Sequence, residues 1–135
     1  MSRTNGAGGN GAERMLRMMI VDDSNIIRRR IERSQQNARL QVVGSASNGR
    51  EAVELFQKTD PDVVTMDLTM PEMDGIQCVE RLVELKPEIL ILVVSALADK
   101  ATAVEAIEKG ANGFLCKPFS DRQLNDALAE LLREV

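Results

Sequence analysis

Acidic, hydroxyl and basic side chains follow four separate apolar stretches of this sequence. Asp22 and Asp23 follow the first stretch, Asp67 the third, Ser95 the fourth and Lys117 the fifth. Carboxylates that are gathered in one place repel one another, and at pH 7 they stay ionised together only with a cation between them. Oxygen ligands with a partly open coordination shell favour Mg²⁺. A carboxylate beside a metal ion, a lysine and a hydroxyl predicts a phosphoryl-transfer site in which the carboxylate is the nucleophile.

One of these acids lies in a segment, residues 63–75, with a clear local pattern. An apolar run ends at Asp67, and a turn that contains Pro71 and Gly75 follows. This pattern predicts a buried strand that presents the carboxylate of Asp67 to solvent. Strand-to-helix loops also commonly hold Asp and Ser as helix caps, so capping is the alternative for any single member of the set. Complementary chemistry after four strands out of five favours a site.

The elements that must position these side chains are five strands that alternate with five helices. The predicted strands are 16–21, 40–46, 63–67, 89–94 and 113–116, and the predicted helices begin after Ser24 or Asn25, after Asn48, near residues 75 and 100, and after Ser120. This alternation predicts an α/β fold of the doubly wound (βα)5 type, with a five-stranded parallel sheet and helices on both faces. All strands of a parallel sheet end at one edge, where ligands of such folds bind.

The composition narrows the function further. The chain has 135 residues, a net charge of −4, three phenylalanines as its only aromatic residues and no histidine. One domain is therefore expected, with no nucleic-acid surface, no histidine-based triad and no imidazole zinc site. The sequence contains no apolar run long enough for membrane insertion and no signal-peptide core, and its two spare cysteines suit a reducing compartment, so a cytoplasmic protein is expected.

The first residues form a segment of different character. Residues 1–14 are rich in Gly and Asn and predict a disordered tail, and residues 15–135 form the predicted domain. The segment 6–11 matches the G-x-G-x-x-G pattern of dinucleotide-binding loops. That function requires a strand before the pattern and a helix after it, and here a strand follows instead.

At the residues described above, the sequence resembles the receiver domain of two-component response regulators. The resemblance covers residues 16–135 and is carried by Val21-Asp22-Asp23-Ser24, Met66-Asp67, Met70-Pro71-Glu72-Met73-Asp74-Gly75, Val94-Ser95-Ala96 and Lys117-Pro118-Phe119. It is closest in character to the single-domain chemotaxis (CheY-like) type. The strand order 2-1-3-4-5 of flavodoxin and of that type is therefore expected.

The resemblance implies a role for each matching residue. Asp67 would accept the phosphoryl group from a histidine kinase or a phosphotransfer protein, and Lys117 would pair with that group. Asp23 and Asp67 would bind Mg²⁺ directly, Asp22 would act mainly through water, and the backbone carbonyl of Thr69 would complete the metal site. Ser95 would be the switch hydroxyl and Phe114 the switch aromatic, and the Lys117–Pro118 peptide bond would be cis.

The resemblance also implies an output. The expected protein is a monomer. It is not expected to be an enzyme, and its only catalysis would be self-catalysed phosphoryl acceptance and autodephosphorylation. It would signal through a face made of the fourth helix, fifth strand and fifth helix, to an effector such as the flagellar motor switch. Phe114 stands where many chemotaxis members have tyrosine, which puts motor binding in question. The resemblance also implies that Thr69 and Leu97 flank the place of the hydrolytic water, and the apolar side chain of Leu97 predicts slow autodephosphorylation.

Three rival functions and one surface remain open at this point. The rivals are a phosphorelay intermediate or phosphate sink, a metal-dependent phosphohydrolase, and a passive binding module that is not phosphorylated. Such hydrolases typically have a second acid two residues after the nucleophile, where this chain has Thr69. A basic cluster on the first helix, Arg28-Arg29-Arg30 with Arg33, either docks an acidic partner or forms a solvated helix face.

Overall fold

The computed structural model describes residues 14–70, 73–96, 99–133 and 135. Strands and helices alternate along the chain. The strands are β1 Leu16–Val21, β2 Leu40–Ala46, β3 Val63–Met66, β4 Leu90–Ser95 and β5 Gly113–Cys116. The helices are α1 Asn25–Ser34, α2 Gly49–Thr59, α3 Gly75–Leu85, α4 Lys100–Glu108 and α5 Asp121–Leu131.

The strands form one parallel sheet in the order β2-β1-β3-β4-β5, which confirms the predicted order 2-1-3-4-5. The hydrogen-bonded ladder continues just past three of the strand ends, those of β1, β3 and β5. Asp22 N donates to Ala46 O at 3.1 Å. Asp67 N donates to Val21 O at 2.9 Å, and Lys117 N donates to Ser95 O at 2.9 Å. These bonds bring the residues that follow β1, β3 and β5 to one edge of the sheet, beside Ser95, the last residue of β4.

Each face of the sheet carries its own apolar core. One core joins Val21, Met66 and Val93 to α2, α3 and α4, and the other joins Ile20, Leu92 and Val94 to α1 and α5. Both faces of β4 are therefore covered, which explains why that strand is apolar at every position before Ser95. The prediction of a doubly wound sheet with helices on both faces is confirmed.

Helix capping does not account for the acids at the strand ends. The side chains that cap the five helices of the described structure belong to Ser24, Asn48, Asp74, Asp99 and Ser120. None of these five is a predicted site residue. The strand-end acids are therefore available for other chemistry, apart from Asp22 Oδ1, which accepts the Ser24 N–H at 2.9 Å.

The boundaries of a few elements differ from the prediction. β3 ends at Met66, so Asp67 follows the strand instead of closing it, and β4 begins at Leu90. α3 ends at Leu85, because Lys86 leaves the helical region (φ −151°, ψ 90°) ahead of Pro87. The predicted tail lies outside the described residues except for Arg14, and the domain limits stay a prediction. No helix in the described ranges has the length and apolarity needed to cross a membrane.

Candidate functional site

Three carboxylates meet at the carboxyl edge of the sheet. Asp22 and Asp23 follow β1, Asp67 follows the neighbouring β3, and one oxygen from each lies within 4.8 Å of the others. Asp22 and Asp67 are buried, whereas Asp23 is exposed. The strand order alone explains the meeting, since β1 and β3 are adjacent in the sheet although 45 residues separate Asp22 from Asp67 in the sequence.

Asp67 is not presented to solvent, and the sequence prediction was wrong on this point. The residue is only 3% exposed. The segment after β3 returns against it, because Gly75 N donates to Leu68 O at 3.0 Å and Gly75 packs on the backbone of Asp67 and Leu68. A β-carbon at Gly75 would lie 2.3 Å from Asp67 O. Close packing at a glycine thus encloses the acid that the local pattern had placed at the surface.

Burial changes the ionisation of Asp67. The pKa of the Asp67 carboxyl is raised from 3.8 to about 6. The largest cause is its removal from water, and the second is repulsion from the Asp22 carboxylate. The Lys117 ammonium, and then the Thr69 N–H that lies 3.4 Å from Asp67 Oδ1, act in the opposite direction. The metal-free carboxyl therefore stays mainly ionised at pH 7.

Lys117 supplies the positive charge of the site. Its Nζ lies 2.8 Å from Asp22 Oδ2 and 3.6 Å from Asp67 Oδ1. The side chain is 18% exposed, so it reaches the acids from the rim of a mostly buried site. The Lys117–Pro118 peptide bond is cis, as predicted.

The donor set fits a divalent cation such as Mg²⁺. All three nearby ligand groups are carboxylates, the type of ligand that hard cations prefer. Asp22 Oδ2 is buried, and its partner in the described structure is the Lys117 ammonium at 2.8 Å. That single positive charge does not balance three clustered carboxylates, so a further cation would stabilise them.

The remaining predicted residues lie around this cluster. Ser95 is fully buried at the end of β4, and Phe114 is half-buried on β5, where it packs against the core beneath α2, α3 and α4. Thr69 is exposed and touches the site through its backbone N–H; the predicted role of its carbonyl stays a prediction. Pro71, Glu72 and Leu97 fall outside the described residues.

Arg28 is part of the site, and the sequence did not indicate it. Its Nη1 donates to the backbone carbonyl of Asp22 at 2.7 Å, and its Nη2 donates to Asn25 Oδ1 at 3.2 Å. The sequence placed Arg28 in a basic cluster, with a docking surface or a solvated face as the alternatives. The only available signal was its position in the first turn of α1, six residues after Asp22, from which a long arginine side chain can reach back.

A parallel sheet of this order, with three acids and a lysine at its carboxyl edge, defines a receiver-type signalling fold. The profile of the response regulator receiver domain matches residues 18–129, and the chain belongs to this family. The predicted resemblance is thus confirmed.

Relatives of the chemotaxis type match most of the chain. The chemotaxis protein CheY of Thermotoga maritima is 42% identical over 112 residues, which cover 83% of this chain and 93% of that protein. CheY of Bacillus subtilis is 36% identical over 116 residues, which cover 86% and 97%. A CheX–CheY–BeF₃–Mg complex from Borrelia burgdorferi contains a similar fold, with a TM-score of 0.82, 27% identity and coverage of 86% and 88%.

Proposed function

We propose that this chain is a chemotaxis-type response regulator that accepts a phosphoryl group on Asp67 and then changes a protein-binding surface. The observation that carries the proposal is the buried Asp67 carboxylate, which lies beside two further acids and 3.6 Å from the Lys117 ammonium. Similarity to CheY proteins over nearly their whole length supports the chemotaxis assignment. The donor would be a phosphohistidine on a kinase or phosphotransfer protein.

The chemistry begins with an ionised nucleophile. A carboxylate oxygen of Asp67 attacks the phosphorus, the phosphorus–nitrogen bond of the donor breaks, and the electron pair returns to the departing imidazole. At pH 7 the carboxyl of Asp67 is ionised because its pKa is about 6. Burial limits competing water at the site, which favours transfer to the carboxylate.

Positive charge stabilises the phosphoryl oxygens during transfer. Lys117 lies within reach of Asp67 and would neutralise part of this charge. Asp23 and Asp67, together with Asp22 through water, would hold Mg²⁺, which when bound supplies the further positive charge that phosphoryl transfer requires. The backbone carbonyl of Thr69 is proposed as the remaining protein ligand.

Labelling with acetyl phosphate and Mg²⁺ tests the proposed acceptor. Intact-mass and peptide analysis of the wild type should show one added phosphoryl group, located on Asp67. Asp67→Asn should remove it, whereas Asp60→Asn, which changes an exposed acid at the opposite edge of the sheet, should retain it. Retention of the label by Asp67→Asn would exclude Asp67 as the acceptor.

Thermal or urea unfolding at increasing Mg²⁺ concentration tests the metal site without any phosphoryl donor. A ligand present at 100 times its Kd stabilises the folded state by about 2.7 kcal/mol. Asp23→Asn should remove most of this stabilisation and leave the metal-free stability almost unchanged, because Asp23 is exposed. Glu32→Gln, an exposed acid on α1, is the matched control and should retain the effect.

The phosphorylated site is proposed to act on the surface formed by α4, β5 and α5. A backbone hydrogen bond from Lys117 N to Ser95 O already links these two residues. If both side chains move toward a phosphoryl group on Asp67, the end of β4 and the segment after β5 therefore move together. Phe114 then turns inward from its half-buried position on β5. Val104 and Ile107 of α4 are 45% and 47% exposed, which supplies apolar surface for a protein partner.

A pull-down with and without beryllofluoride and Mg²⁺ tests this output. Capture of an effector should depend on beryllofluoride, and Ile107→Glu on α4 should reduce it severalfold. Ile26→Glu, at an exposed apolar residue on α1, should leave effector capture unchanged. Equal capture of the effector in both states would contradict a conformational signal. It would favour a phosphorelay intermediate or phosphate sink, because such a protein exchanges phosphate rapidly with a phosphotransfer protein. The flagellar motor switch is one candidate effector.

Three properties complete the proposal. The protein is cytoplasmic and monomeric, and its catalysis is confined to phosphoryl acceptance and autodephosphorylation. Leu97→Glu should change the half-life of the phosphorylated protein, since the resemblance to receiver domains implies that Leu97 flanks the hydrolytic water, whose attack an apolar side chain would slow. Turnover of a free phosphomonoester would instead support the phosphohydrolase function.

A further inference from the structure

Arg30 joins α1 to the segment that carries Lys117. Its Nη2 donates to the backbone carbonyl of Phe119, and its Cζ lies 4.6 Å from the centroid of the Phe119 ring. The same nitrogen lies 3.5 Å from Oδ1 of Asp121, at the first position of α5. One side chain therefore contacts both the backbone and the ring two residues after Lys117, together with the beginning of the next helix.

The segment 117–119 determines where the ammonium of Lys117 lies. At one end, Lys117 N donates a hydrogen bond to Ser95 O in the sheet. At the other end, Phe119 is 3% exposed and belongs to the core beneath α1 and α5. The charged end of Lys117 leaves this segment toward Asp22 and Asp67. A small rotation of the segment would therefore move the ammonium relative to the nucleophile.

We propose that Arg30 is a positioning residue for phosphoryl acceptance: it fixes the segment 117–119 and thereby the reach of Lys117 toward Asp67. The inference rests on the proposed function of Asp67 and extends it to a residue outside the acid cluster. Arginine suits the role because its planar guanidinium can lie over an aromatic ring while its edge donates to a carbonyl. Lysine can supply only part of this combination.

Neighbouring arginines provide matched controls. Arg29 and Arg33 lie on the same helix and carry the same charge, but both are exposed, whereas Arg30 is partly buried, with 37% of its side chain exposed. Arg30→Met and Arg29→Met thus remove the same charge from adjacent positions. If the positive charge of α1 simply attracts the anionic phosphoryl donor, both variants will lose the same fraction of their labelling rate.

Hydrogen exchange of the metal-free protein tests the positioning directly. The Lys117 amide, which is bonded to Ser95 O, should exchange about tenfold faster in Arg30→Met, because loss of a charged hydrogen bond and a cation–π contact allows local opening. The amides of β1 should exchange as in the wild type, which excludes global destabilisation as the cause. Unchanged exchange at Lys117, or an equal increase throughout β1, would overturn the proposal.

Phosphorylation rates supply the second readout. With acetyl phosphate at saturating Mg²⁺, Arg30→Met should be labelled about threefold to tenfold more slowly than the wild type, and Arg30→Lys should recover part of the loss. In a Lys117→Met background, Arg30→Met should have no further effect on the labelling rate, since Arg30 acts through Lys117.

Equal slowing in both backgrounds, or equal slowing by Arg29→Met, would overturn the inference. Absence of any label on Asp67 in the wild type would instead contradict the proposed function, and hydrogen exchange would still decide the role of Arg30.

Discussion

Lys117 lies closer to Asp22 than to Asp67, with Nζ 2.8 Å from Asp22 Oδ2 and 3.6 Å from Asp67 Oδ1. The lysine is thus held by the acid after β1 while it faces the proposed phosphoacceptor after β3. A phosphoryl group on Asp67 would bring additional negative charge and compete with Asp22 for the same ammonium. The ammonium therefore borders both acids, and a phosphoryl group on Asp67 would shift its pairing from Asp22 toward Asp67.

The first prediction concerns the effect of Lys117 on the ionisation of Asp67. Lys117→Met should raise the pKa of the Asp67 carboxyl above its value of about 6 in the metal-free protein, because the cation that favours the ionised form is removed. Titration of the carboxyl carbon by ¹³C NMR measures this change. Lys86→Met, which removes a cation paired with Asp60 and Asp62 at the other edge of the sheet, should leave the pKa unchanged.

The second prediction concerns stability and pH. The pKa of Asp67 is about 6 when folded and close to 3.8 when unfolded, so between these values the folded state holds the proton more strongly. The contribution of Asp67 is therefore fully present below about pH 4 and is lost as the pH rises through 6. About two pKa units correspond to at most about 3 kcal/mol of unfolding free energy.

Urea unfolding in EDTA at several pH values checks this dependence. Asp67→Asn has no carboxyl to ionise, so it should be more stable than the wild type at pH 7.5, by up to about 3 kcal/mol. The difference should shrink as the pH falls from 6 to 4. A difference that is the same at every pH would show that burial does not perturb the carboxyl, and Asp60→Asn should show little pH-dependent gain.

The third prediction concerns Gly75. Alanine there would place a β-carbon 2.3 Å from Asp67 O and from Leu68 Cα, and these backbone atoms cannot move without shifting the acceptor. We expect Gly75→Ala to lower the unfolding free energy by about 1–3 kcal/mol and to slow labelling of Asp67.

Gly113→Ala is the control for that change. Its β-carbon would meet only ends of side chains, Leu92 Cδ1 at 3.2 Å and Leu131 Cδ1 at 3.9 Å, which can adjust. It should cost less stability and leave the labelling rate near that of the wild type. Equal losses in the two variants would argue against a specific role of the close packing at Gly75.

The fourth prediction concerns a buried hydroxyl on β3. Thr65 is 1% exposed, and its Oγ1 has no hydrogen-bond partner in the described part of the chain. Thr65→Val keeps the shape and removes the unsatisfied group, so it should raise the unfolding free energy by about 1 kcal/mol. Urea unfolding measures the gain. Thr59→Val, which loses a 2.8 Å bond to Leu55 O, should give no gain, and a loss in Thr65→Val would contradict the prediction.

Much of the fold and of the candidate site followed from the sequence itself. The alternation of apolar strands with helical patterns determined the doubly wound sheet, because each strand needs cover on both faces and each helix needs a sheet to cover. Because all strands of a parallel sheet end at the same edge, the residues that follow them lie there together, and this predicted the meeting of Asp22, Asp67 and Lys117. The resemblance to receiver domains gave the strand order and the expected role of each residue.

Tertiary structure alone decided the environment of those residues. The pattern of residues 63–75 indicated an exposed acid, yet Asp67 is buried, because Gly75 brings the following segment against it. Likewise, the cluster Arg28-Arg29-Arg30 has the same charge at every position, but Arg28 reaches Asp22, Arg30 reaches Phe119 and Arg29 stays exposed. Burial, ion pairing and pKa depend on distances between segments that are remote in the chain, and local patterns carry no information about those distances.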